Sequence, residues 1–171
     1  MTTATAATKA MPGTTASPFT PQQERELTAW AERYPHRQMG LVEALRAVQE
    51  WKRCVGLDEQ RWVATLFGLP LAWVHATATF FPMFTETPTG RHRIGICQGL
   101  SCWLAGGDKM KACLAKTFGL AAHETSADGR VSWEPMECLG ACEQAPALQV
   151  NDRLQGAATE AMIERLARDL K

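Results

Sequence analysis

Four cysteines in two short segments are the residues of this chain best suited to chemistry. Residues 97–102 read CQGLSC and residues 138–142 read CLGAC, which gives one C-x4-C pair and one C-x3-C pair. Four thiolates can hold a zinc ion or an iron–sulfur cluster. The residue types and their spacing therefore predict a metal centre whose ligands are Cys97, Cys102, Cys138 and Cys142.

The width of these two loops favours a 2Fe-2S cluster over zinc. Structural zinc loops are usually tighter C-x2-C turns, whereas a 2Fe-2S rhomb is larger and the backbone must wrap around it. Gly99, Gly140 and Ala141 are placed to direct backbone N–H groups at the cluster sulfurs, which favours added negative charge. The spacing differs from the plant-type C-x4-C-x2-C…C pattern, and neither loop holds the histidines of a Rieske centre. Zinc and disulfide pairing remain alternatives on residue chemistry alone.

The remaining cysteines and the histidines show no metal-binding spacing. Cys54 and Cys113 lie outside the pairs and are predicted to fill the core as small apolar side chains. The four histidines are scattered, which favours packing or surface roles. Trp103 directly follows Cys102 and either shields the metal centre from water or anchors the next helix. The sequence contains no nucleophile–base pattern, P-loop or G-x-G-x-x-G segment, so we predict no catalytic residue and no NADH site of its own.

Apolar residues at helical spacing predict a bundle of helices over residues 21–80. The first helix begins near Pro21 and stops at Pro35. Asp58 is the expected N-cap of a third helix that Gly68 closes. Pro70 suits the first turn of a fourth helix.

The pattern changes after the Pro- and Gly-containing loop at residues 82–90. The predicted order is then close to β-α-β-β-β-α: a strand at 91–97, a helix at 104–117 ended by Gly119, strands near 123–127 and 130–135 joined at Asp128-Gly129, a second hairpin at Asn151-Asp152, and a helix at about 158–170. Both cysteine pairs follow predicted strands, so we expect them on loops at one end of the sheet. The predicted fold class is α/β, with an N-terminal helical bundle followed by an α/β domain that has a small mixed sheet.

Composition excludes several classes of protein. The 171 residues include 46% apolar and 21% charged residues, and 18 basic residues balance 18 acidic ones. A chain without basic excess is not expected to bind nucleic acid. No apolar run approaches the roughly 20 residues that cross a bilayer, so membrane contact is expected only indirectly, through a larger complex.

The first 20 residues include 12 Thr or Ala and resemble neither a secretory signal nor a mitochondrial presequence. We therefore predict a disordered tail at 1–20, a helical bundle at 21–84 and a second domain at 85–171. The expected compartment is the cytoplasm, where paired cysteines indicate metal or redox chemistry more than structural disulfides.

The sequence resembles the thioredoxin-like 2Fe-2S subunit of NADH dehydrogenases, which is called the E subunit in bacterial complex I. Similar chains are the small diaphorase subunits of NAD-linked hydrogenases and formate dehydrogenases. The resemblance covers about residues 30–170. It is carried by Tyr34-Pro35, the segment Ala78-Thr79-Phe80-Phe81, Asp128-Gly129, the two cysteine loops and Pro146.

This resemblance implies a thioredoxin-like fold for residues 85–171 and one 2Fe-2S cluster per chain. Cys97 and Cys102 would bind one iron, and Cys138 and Cys142 the other. The chain would accept electrons from a partner subunit that carries FMN and oxidises NADH, as part of a complex peripheral on the inner membrane. We expect the helical bundle, which carries none of the candidate ligands, to supply much of the docking surface. From another class of protein, a zinc-stabilised interaction module is the alternative.

Overall fold

The computed structural model describes residues 17–170, which form a helical half followed by a sheet with helices. The helical half consists of α1 (Pro21–Glu32), α2 (Leu41–Lys52), α3 (Leu57–Phe67) and α4 (Leu71–Phe80). None of the helices described could span a membrane. The mixed α/β fold class predicted from the sequence is confirmed.

The ends of these helices differ in detail from the sequence prediction. Thr20 caps α1 through a capping box, in which its side chain accepts from the Gln23 N–H and the Gln23 side chain accepts from the Thr20 N–H. Asp58 is not the N-cap of α3, because Gly56 occupies that position and Asp58 lies in the first turn, where its charge suits the helix N-terminus. Gly68 ends α3 in the left-handed conformation, as predicted. Pro70 immediately precedes α4 rather than lying within its first turn.

The core of the helical half extends into the predicted tail. Phe19 is buried, and its ring lies 6.3 Å from that of Trp51 and 5.0 Å from that of Trp62, both in edge-to-face geometry. Packing therefore begins at least two residues before Pro21. Residues 1–16 of the predicted tail lie outside the described residues, and the division into two domains stays a prediction.

The second half is built on a four-stranded mixed sheet. Its strands are β1 (His92–Cys97), β2 (Val131–Met136), β3 (Leu148–Val150) and β4 (Arg153–Gln155), in the order β2-β1-β3-β4. β1 pairs parallel with β2 and antiparallel with β3, and β3 pairs antiparallel with β4. The helices are α5 (Leu100–Leu104), α6 (Gly107–Phe118) and α7 (Glu160–Asp169). Ile94, Ile96, Leu114, Leu148 and Ile163 are fully buried in the core that sheet and helices share.

Two details of this half differ from the prediction. The helix predicted at 104–117 is found as α6, which Gly119 ends as predicted, but it begins only at Gly107, after Gly106 adopts φ +94°, and the short helix α5 before it was not predicted. Residues 123–127 form no strand and make one isolated bridge, Thr125 to Ser132. The Ser126 side chain accepts from the N–H groups of Arg130 and Val131, so local turn bonds replace the expected ladder.

Arg93 joins the two halves of the molecule. From β1 its guanidinium pairs with Glu134 on β2, and the two side chains are only 18% and 16% exposed. The same guanidinium donates to the carbonyl oxygens of Met83 at 2.9 Å and Pro82 at 2.7 Å, just after α4. One side chain therefore holds the end of the helical half against the parallel strand pair.

Replacing Arg93 with Met should lower the free energy of unfolding by about 2 kcal/mol or more, because it leaves a mostly buried carboxylate and two carbonyl groups without their donor. Urea denaturation of the variant measures the loss. The control is Arg61→Ala, which removes an ion pair to Asp58 between side chains that are 57% and 79% exposed. That change should cost about 0.5 kcal/mol or less. Equal losses in the two variants would contradict the role given to Arg93.

Candidate metal centre

The parallel pairing of β1 and β2 brings the two cysteine loops together. In this register Cys97, the last residue of β1, lies opposite Met136, the last residue of β2, and Cys138 follows two residues later. The Gln98 N–H donates to the Met136 carbonyl at 3.0 Å, which extends the pairing into the loops. Because parallel strands end at the same edge of a sheet, both cysteine loops leave from that edge.

All four predicted cysteines line one cavity of about 210 Å³. The rest of its lining is Gly99, Leu100, Ser101 and Ala141. Cys97 and Cys102 are each only 3% exposed, whereas Cys138 and Cys142 are exposed. The cavity therefore has an inner pair of thiols against the protein and an outer pair towards solvent.

Backbone N–H groups point at these sulfurs from both loops. The Gly99 N–H donates to Cys97 Sγ, and the Gly140 N–H donates to Cys138 Sγ, each at 3.4 Å. Both glycines were predicted to act in this way. The amide of Leu139 also donates to Cys97, which the sequence reasoning missed because a backbone N–H has no residue-type signal. Ala141, the third predicted donor, is buried in the cavity wall, and its role as a donor to a cluster stays a prediction.

The inner thiols have opposite pKa shifts. Burial acts to raise the pKa of Cys97, but hydrogen bonds from the amides of Leu139 and Gly99 and from neighbouring thiols outweigh burial and lower it. Burial raises the pKa of Cys102, and the nearby Cys97 adds to that shift. A site that favours the Cys97 thiolate is ready to supply a metal ligand, since the thiolate is the ligating form.

Gly99 leaves open the space that a bound cluster needs. A Cβ placed on this residue would lie 3.5 Å from Cys97 Sγ and 3.6 Å from Cys138 Sγ, so it would project between sulfurs of the two loops. The backbone at Gly99, with φ −58° and ψ 156°, is one that any residue can adopt. The absence of a side chain therefore serves the cavity rather than the turn. The donor set and this open space fit an iron–sulfur cluster.

A segment outside both loops closes the floor of the site. Ala147 is fully buried, its carbonyl accepts from the Cys97 N–H at 3.0 Å, and its amide is directed at Cys102. It precedes β3, the strand that pairs with β1 on the side opposite β2. The sequence reasoning did not identify Ala147, because only the sheet order places it beside the cysteines.

The residues predicted to lie outside the site do so. Cys54 is half-buried beyond α2, and burial raises its pKa, with the nearby Glu59 adding to the effect. Cys113 is half-buried on α6 and packs against the core below the sheet. The Trp103 indole N–H donates to Asp108 at 2.9 Å, in the first turn of α6, so it anchors the next helix. Within residues 17–170 no three His, Cys, Asp or Glu side chains are arranged to hold a single metal ion.

Comparison with known proteins gives a consistent family. Residues 27–171 match the family described as thioredoxin-like [2Fe-2S] ferredoxin. The E 2 subunit of NADH-quinone oxidoreductase from Rhizobium meliloti (strain 1021) is 35% identical over 141 residues, which are 82% of this chain and 84% of that protein. The HndA subunit of an NADP-reducing hydrogenase from Solidesulfovibrio fructosivorans is 28% identical, with 83% of each chain covered.

A solved structure is similar in fold as well. A chain of an NAD+-reducing [NiFe]-hydrogenase in the air-oxidized state superposes with a TM-score of 0.64 at 27% sequence identity. The match covers 77% of this chain but only 22% of the hydrogenase chain. The present chain therefore corresponds to about a fifth of that larger polypeptide.

Substituting Gly99 with Val should weaken iron binding by about tenfold or more, because the new side chain fills the space between the two loops. Iron retention during titration with a chelator measures the effect, and the melting temperature of the iron-free chain should stay unchanged. Ala105→Val, at the exposed end of α5, adds comparable bulk outside the cavity and is the control. Undiminished iron retention in Gly99→Val would contradict the role given to this position.

Proposed function

The chain belongs to the thioredoxin-like [2Fe-2S] ferredoxin family, and on this premise we propose that it is the electron-transfer subunit of an NADH dehydrogenase assembly of the NADH:quinone oxidoreductase type. The observation that carries the proposal is the gathering of four cysteines around one cavity in a chain 35% identical to the E 2 subunit of an NADH-quinone oxidoreductase. Family membership also favours an iron–sulfur cluster over the zinc-stabilised module.

We assign the cluster ligands from the loops. Cys97 and Cys102, which are buried at the end of β1 and in α5, would bind one iron. Cys138 and Cys142, which are exposed in the second loop, would bind the other. When bound, a 2Fe-2S cluster carries one electron at a time.

The protein's own contribution to this function is positional and electrostatic. The amides of Gly99, Leu139 and Gly140 direct positive dipole ends at cysteine sulfurs, which favours negative charge there. The low exposure of the inner pair keeps water from that side of the cavity. The outer pair remains accessible to a partner protein, so electrons would pass through that side.

We place FMN and NADH on a partner subunit. The sequence of this chain contains neither a P-loop nor a G-x-G-x-x-G segment. Among its relatives, the protein matched in NADH-quinone oxidoreductase and the HndA protein of a hydrogenase are both subunits of larger enzymes. The proposed route is therefore from NADH to the partner's flavin and then to this chain, in an assembly peripheral to the inner membrane.

The equivalent diaphorase subunit of an NAD-linked hydrogenase is the second candidate. It is favoured by the 28% identity to HndA and by the fold shared with the NAD+-reducing hydrogenase. The cysteine site would have the same role in both assemblies. The two assemblies differ only in the enzyme that exchanges electrons with this subunit, which reduces quinone in the first and is a hydrogenase in the second.

The ligand assignment is tested by single Cys→Ser substitutions. The full chain purified without oxygen should contain about two irons and two acid-labile sulfides and give a paramagnetic signal on reduction. Serine at position 97, 102, 138 or 142 should abolish or greatly reduce the iron content, since each substitution removes one thiolate. Iron analysis, visible absorption and electron paramagnetic resonance are the measurements.

Serine at Cys54 or Cys113 is the matched control and should leave iron content and spectrum unchanged. A colourless wild-type chain that binds zinc and has no redox signal would support the interaction module instead. If Cys113 were essential and Cys102 dispensable, the proposed ligand set would be wrong.

The parent assembly is tested by affinity purification of the tagged full chain from its source cell. We expect a flavoprotein with bound FMN and NADH-dependent reductase activity to copurify, together with quinone reduction by the assembly. Copurification of hydrogenase activity in place of quinone reduction would select the second candidate. A chain that copurifies with no flavoprotein would contradict both.

A further inference from the structure

The helix α4 exposes large apolar side chains to solvent. Residues 68–85 contain no Asp, Glu, Lys or Arg, and only Val74 and Ala78 of α4 are buried. Trp73 is 53% exposed and Phe80 is 76% exposed. The two residues are seven positions apart, which places them on the same side of the helix, and large apolar side chains exposed together mark an interaction site.

This surface continues to the outer side of the cysteine site. A cleft of about 300 Å³ separates the end of the helical half from the end of β2. Its lining includes Thr79, Phe80 and Pro82 on one side and Pro135, Met136 and Glu137 on the other. The next residue is Cys138, one of the two exposed cysteines. The apolar face of α4 and the accessible thiols therefore lie on one connected surface.

Apolar side chains also border the site at α5. Leu100, Trp103 and Leu104 are exposed, and their i, i+3, i+4 spacing places them along one side of that short helix. Leu100 also lines the cysteine cavity. Exposed apolar residues therefore lie on α4 and on α5, and α5 borders the cysteine cavity itself.

The two segments that carry the cysteines contain no Lys or Arg. Residues 94–107 contain no charged side chain, and residues 131–151 contain only three, all of them Glu. Glu134 is paired with Arg93, but Glu137 and Glu143 are exposed and accept hydrogen bonds from the neutral amides of Gln98 and Gln144. The two exposed carboxylates near the outer cysteines therefore have amide rather than basic partners.

We propose that the outer surface of α4, the cleft at Phe80 and Glu137, and the exposed stripe of α5 form one docking face for the electron-donating flavin subunit. That subunit would present apolar side chains to Trp73 and Phe80 and basic side chains to Glu137 and Glu143. The inference rests on the proposed function, which requires a redox partner at the outer cysteines. It adds which surface receives that partner and what chemistry the partner must offer.

Charge complementarity selects this occupant. In a symmetric dimer that buried the same face, the carboxylates of Glu137 and Glu143 would face their own copies, and like charges across an interface are unfavourable. A dimer would also cover Cys138 and Cys142, the side through which electrons must pass. Anionic lipid head groups would be repelled by the same two carboxylates.

The test measures binding of the full, iron-loaded chain to the purified flavin subunit of its assembly at low and high salt. Trp73→Ser/Phe80→Ser should raise Kd by more than about tenfold at both salt concentrations, because it removes large apolar contacts. Glu137→Lys/Glu143→Lys should raise Kd by about tenfold at low salt and less at high salt, because screening weakens charge contacts.

Control variants make similar substitutions outside the proposed docking face. Leu154→Ser removes an exposed apolar side chain from β4, and Glu26→Lys/Glu164→Lys makes the same change in net charge on α1 and α7. Both should stay within about twofold of the wild-type Kd. Visible absorption of every variant checks the iron–sulfur content. If the lysine pair lowers that content, Glu137→Gln/Glu143→Gln replaces it.

The possible outcomes distinguish failure of the docking face from failure of the proposed function. Iron-loaded variants that all bind like wild type would overturn the docking face and leave the proposed function standing. An iron-loaded wild type that does not bind the flavin subunit would overturn both and leave only the cluster assignment. A wild-type dimer in sedimentation that Trp73→Ser/Phe80→Ser dissociates would make a second copy the occupant and overturn the docking face too. A chain that never acquires iron would remove the proposed function and the inference together.

Discussion

The parallel pairing of β1 and β2 is the constraint on which the rest of the site depends. The cysteine pairs are separated by 35 residues in the sequence, and the register that sets Cys97 opposite Met136 makes the two loops neighbours. A shift of one residue would turn alternate side chains to the other face of the sheet. The fully buried Ile94 and Ile96 would then leave the core, so the packing that stabilises the sheet also fixes the geometry of the four thiols.

The two halves of the molecule have different structural roles around this strand pairing. The sheet and its loops place every candidate ligand, whereas the helical half contributes a broad apolar exterior on α4. Arg93 couples the halves, because it binds Glu134 within the strand pair and the carbonyls of Pro82 and Met83 after α4. The hydrogen bonds from this nearly buried side chain to Pro82 and Met83 therefore help to hold the α4 surface in place relative to the cysteine cavity.

Sequence reasoning could find what depends on residue type and local period. Cysteine spacing located the cavity residues, and Gly99 and Gly140 were identified as donors because glycine allows close approach. It could not find the amide of Leu139 or the floor at Ala147, since every residue has a backbone and only the strand order brings these two to the site. The short helix α5 was missed because its five residues are too few to show a helical period. A strand was predicted at 123–127 because the Asp128-Gly129 turn is typical of a hairpin. In the structure the Ser126 side chain binds the backbone N–H groups of Arg130 and Val131, and these bonds compete with a regular strand ladder.

The unequal exposure of the two thiol pairs has a practical consequence for the iron-free protein. Oxidation and alkylation of a thiol require both the thiolate form and access from solvent. In air, damage should therefore begin at Cys138 and Cys142, which face solvent, while the 3% exposure of Cys97 and Cys102 protects them. A disulfide or sulfenic acid on the outer loop alone would prevent cluster assembly until it is reduced, and sulfinic or sulfonic acid there would prevent it permanently.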